Sequence, residues 1–444
     1  MKKIAAIFKN KDVINRIVFT IMILLVFEIG ANVTLPGVTL SEDITNAMTS
    51  TSALSLLNLL GGGGLQQFSI FALGVSPYIT SQIIVQLLSM DVLPALSELR
   101  KQGDIGRRKI EMTTRYLTLM LGSVQAYGII KMMENGYITL SDTSAWGYVY
   151  LVILMVAGSM LVMWLGDQIT SKGIGNGISM IIFAGVVTQL PNQIGSAFTK
   201  WITLNQGSGA SAMIQGVFQF AIYIICLLLI IGFIVFIESA RRKIPVQSAG
   251  RSGNVAKMSN ASYLPIKLNS GGVIPVIFAS SILMAPSVIA SFISSDAANA
   301  YWLNIFSISH MYQMPGIDGS RWGMPWGLIF YVILIIVFAF FYAQLQINPA
   351  QLAENFQKNG SYIPGIKPGN ETERYIRKVL NRITCIGAFA LAFIAALPVA
   401  LTLSGIFGND TSLAFGGTGL IIAVGVATEL NNQVNGLLAG KLYD

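Results

Sequence analysis

Ten stretches of apolar residues recur along this chain, each near the roughly 20 residues that a helix needs to cross the hydrocarbon of a bilayer. They lie at 17–35, 68–90, 114–132, 147–166, 174–192, 214–237, 271–291, 324–345, 380–402 and 413–430. A soluble domain carries about a quarter charged residues and needs a polar skin. Only 11% of these 444 residues are charged and 53% are hydrophobic, so lipid is the expected solvent. The expected fold is an all-α membrane protein.

An even number of spans places both termini on one side, and charge says which. The N-terminal segment and the alternate loops 91–115, 167–173, 238–269 and 346–382, with the C-terminus, hold 25 of the 28 Lys and Arg residues. Only Lys131, Lys200 and Arg321 face the other way. Basic loops stay cytoplasmic, so both termini are expected inside. The net charge of +8 is thereby explained by topology rather than by nucleic acid, and no sequence-specific nucleic-acid binding is expected. The basic N-terminus, Met1 to Arg16, precedes an apolar run with no small-residue cleavage site, which reads as a retained first span.

One segment fits no simple span. Ser52 to Leu60 is apolar for about three turns, far too short to cross, and Gly61-Gly62-Gly63-Gly64 follows. Four glycines abolish helical preference and permit a sharp reversal. The segment reads either as a re-entrant half-helix, which needs protein or a water-filled cavity around it, or as an interfacial loop. The halves of the chain also correspond faintly. Gly74-Val75-Ser76-Pro77-Tyr78-Ile79 opens the second span, and Gly271-Gly272-Val273-Ile274-Pro275-Val276-Ile277 opens the seventh. Gly/Pro-interrupted spans at matching positions point to an inverted repeat with its site between the halves, here 1–193 and 194–444.

Familiar catalytic arrangements are missing. Cys226 and Cys385 lie in separate apolar spans and His310 stands alone in a loop, which leaves no Ser/His/Asp, Cys/His or zinc arrangement. Gly173-Ile174-Gly175-Asn176-Gly177 follows no strand, and Gly440-Lys441 lacks the P-loop spacing. No enzyme activity, cofactor or metal is expected. An ion-coupled transporter should bury acids deep in its spans, yet Glu28 and Glu429 sit near span ends and Asp167 at a boundary. Any pathway is therefore lined by uncharged groups. Ile79 and Ile83, and Ile178 and Ile182, lie one turn apart, a spacing equally suited to plain lipid or helix contact. Loops 238–269 and 346–382 mix basic residues with turn formers and buriable apolar ones, a composition suited to ordered protrusions that dock a partner.

Several stretches, in order, carry a resemblance that covers most of the chain. They are Gly61–Gly64 leading into Phe68 to Ile79, Gly106 to Ile110 with Thr114 to Tyr116, Gly173 to Ser179, Arg241 to Gln247, Gly272 to Ser281, Tyr362 to Gly369 and Gly416 to Thr418. Together they resemble the SecY family, the central subunits of the bacterial protein-conducting channel. The resemblance implies ten transmembrane helices in two pseudo-symmetric five-helix halves, gated sideways between spans two/three and seven/eight. It implies a plug at about 54–64, comprising Leu54, Leu56, Leu57, Asn58, Leu59, Leu60, Gly61 and Gly62. It implies a waist ring of Ile79, Ile83, Ile178, Ile182, Ile277 and Ile422, sealing around a passing chain.

The same resemblance implies docking of the ATPase SecA or the ribosome on the cytosolic loops, through Arg107, Arg108, Arg241, Arg242, Lys243 and Lys367. SecE would clamp the two halves from outside, with SecG nearby. Signal sequences and unfolded polypeptides would be the substrates, released across the bacterial plasma membrane or sideways into lipid. Three places depart from the family pattern: Lys367 replaces a usual arginine, Glu28 a more often basic residue, and Ser248-Ala249-Gly250 a more aromatic and basic stretch. The rival readings are a secondary transporter for small or lipid-like solutes and a scaffold subunit without a pore.

Overall fold

The computed structural model describes residues 10–41, 58, 61–89, 93–134, 137–203, 210–248, 263–293, 303, 305, 306, 308, 312–315, 321–403 and 412–440. A helix corresponds to each of the ten apolar spans. The first five are α1 (Lys11–Ala31), α2 (Ser76–Leu88), α4 (Asp104–Glu134), α5 (Ala145–Lys172) and α6 (Gly177–Phe198). The second five are α7 (Ala210–Ser239), α8 (Ile274–Ile293), α9 (Trp326–Gln346), α11 (Asn370–Leu403) and α12 (Ser412–Gly440). Two short helices, α3 (Pro94–Lys101) and α10 (Pro349–Lys358), lie in the basic loops.

Six helices among the described residues are long and apolar enough to cross a membrane by length and composition. The departures of the rest have local causes. The apolar run 68–90 is helical only from Ser76, because Gly74 has φ +52° and Pro77 can occupy only the first turn of a helix. α4 carries Arg107, Arg108 and Lys109 in its first turns, so it emerges from the bilayer as a helix where a loop is expected. Among the six, α11 runs 34 residues, or about 50 Å, well beyond a hydrocarbon core of about 30 Å.

Packing repeats between the two sets of five. In the first, α2 packs on α4, α4 on α5, α5 on α6, and α1 on both α5 and α6. In the second, α8 packs on α9, α9 on α11, α11 on α12, and α7 on both α11 and α12. The pairings match helix for helix, which is the pseudo-symmetry expected of two related halves. Two seams join the sets. α6 packs against α12, while α8 packs against α2 and α4.

The loops add small antiparallel ladders to the helical body. β1 (Val38–Leu40) pairs with β2 (Ile138–Leu140), and β3 (Arg241–Pro245) with β5 (Tyr263–Lys267). β4 (Gln247–Ser248) pairs with β8 (Ser361–Tyr362), and β6 (Tyr312–Pro315) with β7 (Arg321–Met324). The β4–β8 pair ties loops 238–269 and 346–382 into one platform. Beneath it Ile244, Ile266, Ile363, Ile376, Leu380 and Ile383 form a buried apolar cluster separate from the membrane core. The platform is thus a packed unit, as its mixed composition suggests.

The four-glycine run is needed for close approach as well as for its turns. Gly62 and Gly63 have φ of +69° and +87°, a region side chains rarely adopt. Gly62 sits between the Phe27 ring of α1 and the backbone of Gly185 in α6, where a Cβ on either glycine would overlap its neighbour. The preceding Asn58 is buried, its carbonyl accepting from Gly63 N–H at 2.7 Å and its Oδ1 from Gln66 N–H at 3.0 Å.

This packing gives a test with an internal control. Alanine normally stabilises a helix over glycine by up to ~1 kcal/mol. Gly195→Ala, in the same helix with open space around it, should raise the thermal midpoint of the solubilised protein. Gly185→Ala should lower it, since overpacking costs about 1–3 kcal/mol. Equal shifts in the two variants would contradict a close seat for the glycine run.

Candidate functional site

Each isoleucine of the expected ring is set by a local device. Ile79 lies in the first turn of α2, its N–H donating to the Val75 carbonyl at 3.0 Å, and Ile83 follows one turn later. Ile178 and Ile182 begin α6, whose N-cap is Asn176. The Asn176 Oδ1 accepts from the N–H groups of Ile178 at 3.1 Å and Ser179 at 3.4 Å. The glycine-rich stretch before it is therefore a helix entry. Gly175 takes φ +90°, and Gly177 presses against the Gly166 carbonyl. Ile277 sits in the first turn of α8, after Gly272 at φ +61°, and Ile422 lies within α12.

All six belong to the large apolar core of the helical body, five as buried members and Ile178 packed against it. Those five are no more than 7% exposed, and Ile178 is half-buried. Four of them, Ile79, Ile178, Ile182 and Ile277, also line a cavity of about 750 Å³. Ile83 and Ile422 are buried in the cluster rather than lining that cavity. Both sets of five helices contribute walls, the first through α2, α4, α5 and α6 and the second through α8 and α9.

The cavity changes character along its walls. Apolar isoleucines form one part, and Gln82, Gln86, Arg107, Glu111, Arg115 and Asp167 form another. Arg115 pairs with Asp167 at 2.8 Å while both remain partly exposed, so this part is wettable. Arg107 stands in the basic loop region, so the polar part faces the basic side. Isoleucines and wettable polar groups thus share the walls of one cavity.

Of the plug residues expected from sequence, Asn58, Gly61 and Gly62 are described; Leu54, Leu56, Leu57, Leu59 and Leu60 lie outside the described residues. The described end is anchored against α1 and α6, beside the α6 segment that carries Ile182.

Arg107, Arg108, Arg241, Arg242, Lys243 and Lys367 are all exposed, on α4 and on the platform. Lys243 Nζ sits 4.7 Å over the Tyr263 ring, which holds one cation in place on the β3–β5 hairpin. Polar links invisible in the sequence tie the platform to the helices below. Lys267 Nζ meets Glu429 Oε2 at 2.5 Å, two turns beyond Ile422 in α12. Asn269 Nδ2 donates to Glu238 Oε1 at 2.6 Å and to the Gly272 carbonyl at 2.8 Å, just before α8. Glu429 near a span end was the one signal for these contacts; their partners come from distant segments.

Comparison with known proteins bears on this geometry. The SecY family model matches residues 69–431. The protein translocase subunit SecY 1 of Lactobacillus kefiranofaciens subsp. kefiranofaciens is 41% identical over 441 residues, covering 98% of this chain and 97% of its own. Two solved structures share the fold at 18% identity. One is a SecY channel whose plug domain is described as stabilising its closed state and maintaining a membrane seal, with a TM-score of 0.65 over 95% of this chain and 92% of that one. The other is Sec61 in the canine ribosome–channel complex from the endoplasmic reticulum, with a TM-score of 0.62 over the same shares. The chain belongs to the SecY family.

Proposed function

We propose that this chain is the pore-forming subunit of a protein translocase, a passive channel that passes unfolded secretory polypeptides and releases apolar segments sideways into lipid. The observation that carries it is the convergence of isoleucines from both helix sets between a polar vestibule and a closed waist. A polypeptide needs such a path because its side chains vary. A ring that binds none of them can seal around all of them, and the vestibule keeps an extended backbone hydrated until it reaches the constriction. A small-solute transporter would instead present dedicated polar or charged groups at mid-depth.

The halves are assigned to 1–193 and 194–444. Ile79, Ile83, Ile178, Ile182, Ile277 and Ile422 act as the sealing ring, and residues 54–64 as the plug. The seat of Gly62 between Phe27 and Gly185 supports a plug tethered beside the waist. Sideways exit lies between α2/α4 and α8/α9, the seam through which an apolar signal helix would reach lipid. With the basic side cytoplasmic, the platform and the start of α4 face the cytosol of a bacterial plasma membrane, with both termini inside. There the exposed cations Arg107, Arg108, Arg241, Arg242, Lys243 and Lys367 dock SecA or the ribosome, which supplies the driving energy. A ribosome-bound relative of the same fold supports that assignment. SecE and SecG complete the assembly.

Two variants test the parts separately. Asparagine at Ile422 would leave amide groups unpaired in a dry cluster, at about 1–3 kcal/mol, and so favour the hydrated open state by roughly tenfold. Ile422→Asn should raise ion leak across proteoliposomes and export of precursors with defective signals. Wild-type leak together with wild-type selectivity would remove Ile422 from the ring. Lys367→Glu reverses an exposed charge and should impair SecA-driven transport severalfold while sparing membrane insertion. Equal loss of both would indicate misfolding and count against docking at Lys367.

A further inference from the structure

Buried helix hydroxyls commonly turn back on their own helix. Ser81 donates to the Pro77 carbonyl, Thr114 to Ile110 and Thr118 to Thr114, each four residues back. Ser159 of α5 reaches elsewhere. Its Oγ donates to the carbonyl of Gly74 at 2.8 Å, with both residues buried. Gly158 completes the contact, because a Cβ there would overlap the Ile70 carbonyl. Two consecutive residues of α5 thus receive two carbonyls of the irregular stretch that precedes α2.

Gly74 stands at the entry of α2. Its N–H donates to the Phe71 carbonyl at 2.8 Å, and the ladder of α2 opens one residue later, where Ile79 donates to Val75. The Gly74 carbonyl therefore lies just outside that ladder and, being buried, needs a donor from another element. Ser159 supplies it. The earlier part of the same stretch is held by α1, where the Phe27 and Phe71 rings stack at 5.8 Å. α2 itself packs chiefly on α4 and is not among the helices that pack substantially on α5. Its seat thus rests on α4 along its length and on the Ser159 bond at its entry. Ile79 is in the turn that hangs directly from that entry, so any shift of Gly74 carries this isoleucine with it.

We propose that Ser159 is a positioning residue of the isoleucine ring: it fixes the entry of α2 on α5 and so sets where Ile79 stands in the waist. Ser159 lies outside the ring and acts on the seal only through α2. The inference rests on the ring reading above. Without the hydroxyl, the buried Gly74 carbonyl gains by moving toward any other donor, and the start of α2 moves with it. A displaced Ile79 leaves a gap that its neighbours in the ring do not fill.

The test is ion leak across proteoliposomes containing the complete translocase, compared at equal amounts of assembled complex. Ser159→Ala should raise leak about fivefold, the equivalent of ~1 kcal/mol. Ser159→Cys keeps the size of the side chain with a weaker donor and should raise it about twofold. This variant carries the test if the alanine variant does not assemble. Thr118→Val removes a buried hydroxyl that bonds only within α4 and should leave leak unchanged. The decisive arm is a cycle with Ile79→Ala, which should itself leak. In that background Ser159→Ala should add less than twofold, because the side chain it positions is already gone. Wild-type leak in both Ser159 variants would overturn the positioning role while leaving the ring intact. So would the same fivefold increase with and without Ile79, since Ser159 would then act on the fold in general. Wild-type leak in Ile79→Ala would overturn the ring reading and this inference with it.

Discussion

In hydrocarbon a backbone N–H or C=O has no water to bond, and the rest of this structure is arranged around that deficit. It forces the spans to be helices, and it forces the irregular stretches at membrane depth to be enclosed by protein. The turns from Gly61 to Val75 satisfy this condition. Their N–H groups find carbonyls within the stretch and in the segment just after α1, where Val33 accepts from Ile70 at 3.1 Å; the Phe68 carbonyl in turn accepts from the Leu35 N–H at 3.0 Å. The glycines allow neighbouring backbone to come close enough to shield them. A tethered segment can therefore lie beside the waist without exposing polar backbone to lipid.

The same deficit shapes the division between what is rigid and what can part. Each set of five helices buries its apolar faces in a repeated pattern of neighbours. Between the sets, the Gly175 backbone N–H donates to the Gln433 side chain at the α6–α12 seam, and the Tyr342–Gln86 side-chain bond crosses the α8 seam beside the cavity. The platform sits above both. Its ion pair to Glu429 and the Glu238–Asn269 contact connect it to α12 and to the start of α8, the helices that carry Ile422 and Ile277. Short polar links thus join the platform to two helices of the second set.

Much of the body was legible in the sequence. Span length and the one-sided Lys and Arg distribution are direct consequences of bilayer physics, and a helix stands at each expected span. The second span was legible only in part. Gly74 and Pro77 were visible as interruptions, but only φ at Gly74 shows that the helix waits until Ser76. Isoleucines one turn apart carry no information by spacing alone, since lipid-facing residues look the same; family resemblance singled them out. The contacts that the sequence hid are long-range. Gly185 looks like any glycine of an apolar helix until Gly62 is set against it. Gln247 and Ser361 are far apart in the chain, and nothing in either loop announces that β4 pairs with β8. Tyr342 and Gln86, 256 positions apart, become a pair only when the two sets of helices meet.

The central claim is that a polypeptide passes between the two helix sets at the isoleucine waist. Photo-crosslinking of a stalled secretory precursor tests it most directly, with the reactive group placed in turn at Ile83, at Ile277 and at Phe393, a side chain 58% exposed on the outside of α11. The account predicts strong crosslinks from Ile83 and Ile277 to one region of the precursor and none from Phe393. Crosslinks from Phe393 with none from the two isoleucines would contradict it.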